Sequence, residues 1–379
     1  MRFVHTADWQ IGMKAAHTGE VGSGLREKRI EAAGNVVAAA KEFEADFILV
    51  AGDTFEDNGV DPINIQKVAD ILGSFDGPVY IIPGNHDPLV PGSVWDHSSW
   101  KSHDNLHVLT DAEPVQVTGG WLYPCPVRDK YSLKDPTAWI DTDGKDGIKI
   151  GMAHGNVEGL RLEEPDHPVP RDAAADLGLD YLALGHWHSY GTFPDADGTV
   201  RMAYSGTHET TGFGERDSGN VVLAEISEAG RAPSVTLKRT GVLEWRDIDK
   251  KIMEEGDLDL IREEVESVGE PSNCLVRLTL TGILPLSEDE KLTDIKGIID
   301  SRFLFGQVND SGLYAAADDE EALEEIPDGI MREAAGVLLE LADPGYTGKR
   351  PDGATTEVAM RAFREFYALA KKQANGGGQ

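Results

Sequence analysis

Five apolar runs in the first half of the chain each stop at a residue able to bind a metal, and this pattern constrains the fold more than any other feature. RFVHTA leads into Asp8, FILVAGD ends at Asp53, VYIIPGN at Asn85, IKIGMAH at His154 and YLALGH at His186. Continuous apolar runs of this length read as strands buried on both faces of an α/β sheet. In open α/β sheets, sites form beyond the carboxyl ends of strands. Between the first three runs the periodicity predicts helices over 25–45, with Ile30, Val36, Val37 and Ala40 on one side, and over 63–75, started by Pro62 after Asp61. Strands expected at 201–205, 220–226, 234–239 and 243–248 are separated by Gly, Asp and Pro turns. An α/β sandwich over residues 1–245 follows.

From about residue 249 the pattern changes to a small α+β unit. Helices are expected over 258–268 and 292–299, with strands over 274–280 and near 313–316, so this capping domain spans 249–317. The acidic run DDEEALEE at 318–325 reads as a linker or an exposed helix start. Helices over 330–342 and 355–371 flank the breaker-rich DPGYTGKRPDG, giving a helix–loop–helix at 327–373. One carries an apolar stripe of Met331, Ala335, Val337, Leu338 and Leu341. The other carries Val358, Met360, Phe363, Phe366 and Leu369. Such faces need cover, either from a partner or from their own domain. Residues 374–379 read as a disordered tail.

The chemistry lies in the strand-end sequences: Asp8-Trp9-Gln10, GDTFE at 52–56, GNHD at 84–87, His154 and GHWH at 185–188. Carboxylate, amide oxygen and imidazole together suit Mn²⁺, Fe or Zn²⁺ rather than a soft thiolate site. The glycines at 52, 84 and 185 are expected to let the backbone turn sharply before each ligand. Two neighbouring cations repel, so a bridging carboxylate lowers the cost of holding both, and Asp53 is the natural bridge. A bimetal site of this type activates a water and clamps a phosphoryl group during in-line displacement. His86 is placed to protonate the leaving oxygen.

These motifs, in this order, resemble the calcineurin-like metallophosphoesterases. HTADWQIG at the start, LYPCPVRDK at 122–130 and YSGTHETTGFGE at 204–215 narrow the resemblance to the SbcD-type DNA repair exonuclease subunits. The resemblance implies a four-layer αββα sandwich and two divalent metal ions, most often Mn²⁺. One metal would be held by Asp8, Asp53 and His188, the other by Asp53, Asn85, His154 and His186, with His86 acting at the transition state. It also implies a DNA substrate, a homodimer, and an SbcC-like coiled-coil ATPase of the SMC type, gripped by 327–373. Gln10 departs from the family's Asp-x-His pattern and is either a weaker ligand or a spectator. His5, Glu56 and Asp87 are candidates for supporting the site from behind the ligands.

Composition raises one puzzle. The 35 Lys+Arg face 67 Asp+Glu, a formal charge of −32 on 379 residues. A uniformly acidic surface repels phosphate-rich polymers. Either the surface suits a salty cytoplasm, or the carboxylates, such as those of the EEPDHP and DADG loops, lie away from the functional face. On the nuclease reading this chain alone binds DNA poorly and relies on its partner for basic surface. Two cysteines give no disulfide framework. With no apolar run of about 18 residues and no leader-like start, the expectation is a soluble, cytoplasmic protein without a membrane segment. His17, His97, His103, His107, His167 and His208 read as surface or loop residues. Trp95, Trp100 and Trp187 either pack loops or stack on bases. Arg128-Asp129-Lys130 either positions a phosphate or forms a solvated turn, and Cys125 packs as a small apolar residue. Two other readings compete with the nuclease. One is a phosphoesterase for small nucleotides or phosphoproteins; the other is a scaffold whose first metal site Gln10 weakens.

Overall fold

The computed structural model describes residues 1–14, 22–159, 166–285, 288–316 and 319–376; His17 and residues 377–379 lie outside these. The chain divides into two compact units, Met1–Glu244 and Trp245–Gln379.

The first unit runs β1 (Arg2–Thr6), α1 (Gly22–Glu42), β2 (Phe47–Ala51), α2 (Pro62–Gly73), β3 (Val79–Ile82), β4 (Leu106–Val108), β5 (Val115–Val117), β6 (Gly120–Pro124), β7 (Ile148–His154), α3 (Ala173–Asp176), β8 (Tyr181–Gly185), β9 (Gly191–Pro194), β10 (Val200–Tyr204), β11 (Asn220–Glu225) and β12 (Ser234–Arg239). Among the described residues it holds two six-stranded sheets, ordered β12-β11-β1-β2-β3-β4 and β5-β6-β7-β8-β10-β9. β1, β2 and β3 pair in parallel, as do β7 and β8, with Phe3 opposite Phe47 and His154 opposite Gly185. Their carboxyl ends therefore lie together along one edge of each sheet.

The apolar runs become strands because both faces find cover. One face of β2 contributes Phe47 and Leu49 to a core with Phe3, Leu122, Ile150, Met152 and Tyr181, which fills the space between the sheets. Its other face sends Ile48 and Val50 against Val36 and Val37 of α1 and Val68 and Leu72 of α2. Each such buried side chain is worth about 1.5–3 kcal/mol relative to exposure. α2 starts where expected, with the Asp61 carboxylate accepting from Ile63 N at 2.9 Å and Pro62 in the first turn. The outer face of the second sheet is covered by the single turn of α3 and irregular segments that carry Trp139, Val157 and Val169. The layers are helix, sheet, sheet, and a thin, mostly irregular fourth layer.

The second unit runs β13 (Glu244–Ile252), α4 (Asp257–Ser267), β14 (Cys274–Pro285), α5 (Asp289–Arg302), β15 (Phe305–Ala316), α6 (Asp319–Glu325), α7 (Ile330–Ala342) and α8 (Thr356–Gly376). β13, β14 and β15 form one sheet, with Leu278, Leu280, Ile295 and Ile299 in its core. The strand expected to close the first region at 243–248 instead continues to Ile252 and joins this second sheet. Its side chains Ile248 and Ile252 pack against Leu258 and Val276, which only the second unit supplies. Of the acidic run, Asp319–Glu325 forms α6, and Asp318 lies outside the described residues. α8 extends to Gly376 and covers the first residues of the segment read as a tail.

The stripes on α7 and α8 divide between the two fates left open by sequence. Ala335, Phe363 and Tyr367 are buried with Ile283, Ala322 and Ile326 in the unit's own core. Ile330, Val337, Val358 and Leu369 remain 84%, 55%, 52% and 64% exposed.

Candidate metal centre

The strand ends of the first unit turn unusually hard. Among the described residues eight non-glycine positions have positive φ, and four of them are Asp8 (54°), Gln10 (44°), Asp53 (51°) and His186 (113°). Each such position costs roughly 1–3 kcal/mol and persists only when its surroundings enforce it. Here the enforcement is mutual. Asp8 N donates to Gly52 O at 3.1 Å and Gln10 N to Asp53 O at 3.0 Å, while His186 N donates to Asp8 Oδ1 at 2.9 Å. The expectation that glycines supply the turns holds only for Gly52, at φ +90°. Gly84 and Gly185 have no positive φ and are required by close approach. A Cβ on Gly84 would collide with the Asp53 carboxylate, and one on Gly185 with the Ala51 carbonyl.

Among the described residues, Asp8, Asp53 and His154 are buried and bring ligand atoms within 4.8 Å of one another. His154 Nδ1 lies 2.9 Å from the carbonyl oxygen of Ala51. A carbonyl only accepts, so Nδ1 carries a proton, and Nε2 faces the centre as the nitrogen that a cation would take once its own proton is displaced. Around Nε2 stand Asn85 Oδ1 at 2.9 Å and Asp53 Oδ2 at 3.4 Å. Asn85 Oδ1 is also 3.3 Å from His186 Nδ1.

Buried acceptors thus converge on one point, and the electrostatics register it. Burial disfavours the imidazolium of His154, yet the Asp53 and Asp8 carboxylates outweigh it and raise its pKa to about 9. Asp53 is pushed well below the usual carboxylate range, because the attraction of His154 and His86 exceeds the cost of its burial. Burial raises Asp8 to about 6 against the pull of His154 and His188. Burial and then the neighbouring His154 lower His186 to about 4. A proton satisfies one such contact; a divalent cation, which takes nitrogen and oxygen ligands together, satisfies them all. The donor set fits a metal.

The remaining sequence candidates take distinct places. His188 directs Nδ1 to Thr211 Oγ1 at 2.9 Å and Glu215 Oε1 at 3.2 Å, and the Glu215 carboxylate also accepts from Thr211 N and Oγ1. Gln10 is buried, with its amide nitrogen, not its oxygen, 3.4 Å from Asp53 Oδ2. His86 Nδ1 lies 3.0 Å from the main-chain oxygen of Glu56, whose own N donates to Ile11 O at 3.1 Å. His86 N donates to Asp53 Oδ1 at 2.9 Å. Asp87 clips the two ligand loops together, accepting from Gly84 N at 2.7 Å and Phe55 N at 2.9 Å. Burial, then Asp53, raises its pKa to about 7. His5 is buried behind the strand ends, 3.0 Å from Tyr181 Oη and 3.1 Å from Leu184 O.

His208 and His167 lie in loops, as expected, and are buried there. His208 stacks on Trp9 at 4.7 Å, and His167 Nδ1 sits 2.7 Å from Asp166 Oδ1. Trp95 and Trp100 are buried and stack on each other at 5.3 Å, with their indole nitrogens spent on main-chain carbonyls. They pack the loop. Arg128 is tied to Thr110 O and Asp111, and Trp187 meets Tyr204 edge-on at 5.8 Å.

Three contributors escaped sequence reading. Arg29 of α1, fully buried, donates to the main-chain oxygens of Trp9 and Glu209, so one cation ties the Asp8 loop to the 207–209 loop. Burial lowers its pKa only to about 10, so it stays charged. Glu215 closes the YSGTHETTGFGE motif, where its acid carried no assigned role. Asp166 accepts from Asn85 Nδ2 at 3.1 Å, although it belongs to the EEPDHP segment read as solvated acid.

The pattern of the calcineurin-like phosphoesterases matches residues 1–190, half of the chain. This chain belongs to that family. It is 26% identical over 202 residues to the uncharacterized metallophosphoesterase YhaO of Bacillus subtilis strain 168, covering 50% of this chain and 48% of that protein. It is 26% identical over 278 residues to the D subunit of the SbcCD nuclease of the same organism, covering 62% and 66%. The D subunit of the SbcCD nuclease of Staphylococcus saprophyticus is 25% identical over 223 residues, 50% of this chain and 56% of that one. The chain spans about half to two-thirds of the length of these relatives. Among the described residues of this calcineurin-like phosphoesterase, no helix is long and apolar enough to cross a membrane.

Proposed function

We propose that this phosphoesterase is a metal-dependent DNA nuclease subunit that hydrolyses phosphodiester bonds with two divalent ions, Mn²⁺ being the expected pair. The reading rests on the convergence of His154 Nε2, Asn85 Oδ1 and Asp53 Oδ2, with His86 hydrogen-bonded beside it. Asp53, Asn85, His154 and His186 would hold one ion; Asp8, Asp53 and His188, with Gln10 beside them, would hold the other. When bound, the ions supply a nucleophile from water at neutral pH and neutralise charge on the phosphoryl group. The chain's own residues do the rest. Asp53, with one oxygen on His86 N and the other toward His154, fixes the spacing between the two sets of ligands. His86 gives its Nδ1 proton to the Glu56 carbonyl in a hydrogen bond, which leaves Nε2 as the nitrogen that exchanges a proton with the departing oxygen.

The DNA substrate is supported by the likeness to the D subunits of two SbcCD nucleases and by the motifs at 122–130 and 204–215. An SbcC-like coiled-coil ATPase is the proposed partner of the exposed apolar residues Ile330 and Val337 of α7 and Val358 and Leu369 of α8, and it would supply basic surface that a chain of charge −32 lacks. A cytoplasmic homodimer completes this reading. The orientation of Gln10, amide nitrogen toward Asp53, favours a second reading in which the first ion binds weakly and the protein is mainly a scaffold. Rates on linear and hairpin DNA, cyclic nucleotides and an aryl phosphodiester in Mn²⁺ separate the two: the nuclease reading requires DNA to be the best substrate, and the scaffold reading requires none to turn over.

A further inference from the structure

We propose that Asp166 is a positioning residue that decides which end of the Asn85 amide faces the metal centre. The inference rests on the reading of Asn85 as a ligand. An asparagine amide has nearly the same shape either way round, but only its oxygen can bind a cation. On one side Asn85 Oδ1 meets His154 Nε2 at 2.9 Å and His186 Nδ1 at 3.3 Å. On the other, Nδ2 meets Asp166 Oδ2 at 3.1 Å. An ionised carboxylate only accepts, so it takes the NH₂ end and leaves Oδ1 inward.

Asp166 is itself held. It is 8% exposed, its Oδ1 accepts from Ser132 N at 3.0 Å and lies 2.7 Å from His167 Nδ1, and its main-chain oxygen accepts from Asn156 N at 3.0 Å. Both carboxylate oxygens are therefore occupied by donors. Asparagine at 166 offers a single acceptor, for which Ser132 N and Asn85 Nδ2 would compete. The reverse pairing is self-consistent: with aspartate at position 85, an asparagine at 166 can accept from Ser132 N and donate to the new carboxylate.

Calorimetric titration of the metal-free full chain with Mn²⁺ tests this in four proteins: wild type, Asp166→Asn, Asn85→Asp and the double variant, each checked for folding by thermal melt. In the wild-type background Asp166→Asn is expected to weaken Mn²⁺ binding about ten- to a hundredfold; in the Asn85→Asp background the same change is expected to strengthen it. Loss of equal size in both backgrounds, or no loss with Asn85 present, overturns the proposal. A wild type that binds no Mn²⁺ overturns the metal reading itself. Should Asp166→Asn fail to fold, NMR of the metal-free wild type decides: Asn85 is expected to show two resolved side-chain amide protons with one protected from exchange, and a freely exchanging pair contradicts the role.

Discussion

His154 of β7 donates its Nδ1 proton across the sandwich to the carbonyl oxygen of Ala51 in β2, 2.9 Å away. This one bond joins the two sheets at their functional edge and aims Nε2 at Asp53 and Asn85. Replacing His154 with alanine removes a proposed metal ligand and takes the donor from the buried Ala51 carbonyl. The expected outcome is loss of measurable Mn²⁺ binding at that position and a stability loss of about 1–3 kcal/mol, read by calorimetry and chemical denaturation of the metal-free protein.

Two glycine substitutions should separate close approach from ordinary helix chemistry. Gly84→Ala drives a Cβ into the Asp53 carboxylate, so it should weaken Mn²⁺ binding and cost about 1–3 kcal/mol. Gly34→Ala in α1 meets nothing within 4 Å and should be neutral or stabilising by up to about 1 kcal/mol. Urea melts of both variants check the contrast.

Glu215 should matter through His188 and not through substrate. With its carboxylate on Nδ1, it fixes the ring orientation. Glu215→Gln should lower affinity for one Mn²⁺ by about tenfold or more, while the affinity of the other ion is preserved. Calorimetry resolves the two steps.

Most of the fold is legible in the sequence because strand ends are local: an apolar run followed by a polar residue says where a buried strand stops. The proposed ligands Asp8, Asp53, Asn85, His154 and His186 are legible as strand-end residues for the same reason. What escapes depends on contacts between distant segments. Asp166 meets Asn85 across 81 positions, and its local sequence is indistinguishable from solvated acid. His208 lies buried on Trp9, with Nε2 on Arg29 O across 179 positions, and no periodicity in 204–215 announces that burial. The strand at 243–248 is visible in the sequence, but its sheet is not, since pairing with β14 is a long-range choice.

His208 also gives a pH signature. Burial, and then the charge of Arg29, hold its pKa well below the ordinary imidazole value. The unfolded chain therefore binds a proton below pH about 6.5 that the native state refuses. Stability from this group is full above that pH and declines as pH falls, by up to about 1.4 kcal/mol per unit. The metal-free His208→Gln variant should lose less stability between pH 7 and pH 5 than wild type does, and denaturant midpoints at the two pH values measure the difference.

The central claim is that a two-ion site and His86 together cleave phosphodiesters. The most direct measurement is Mn²⁺ titration alongside DNA cleavage for wild type and His86→Ala. Two Mn²⁺ are expected to bind to both proteins, with turnover in the variant about 10²- to 10⁴-fold lower. Wild-type cleavage absent with Mn²⁺ bound, or His86→Ala as fast as wild type, would contradict it.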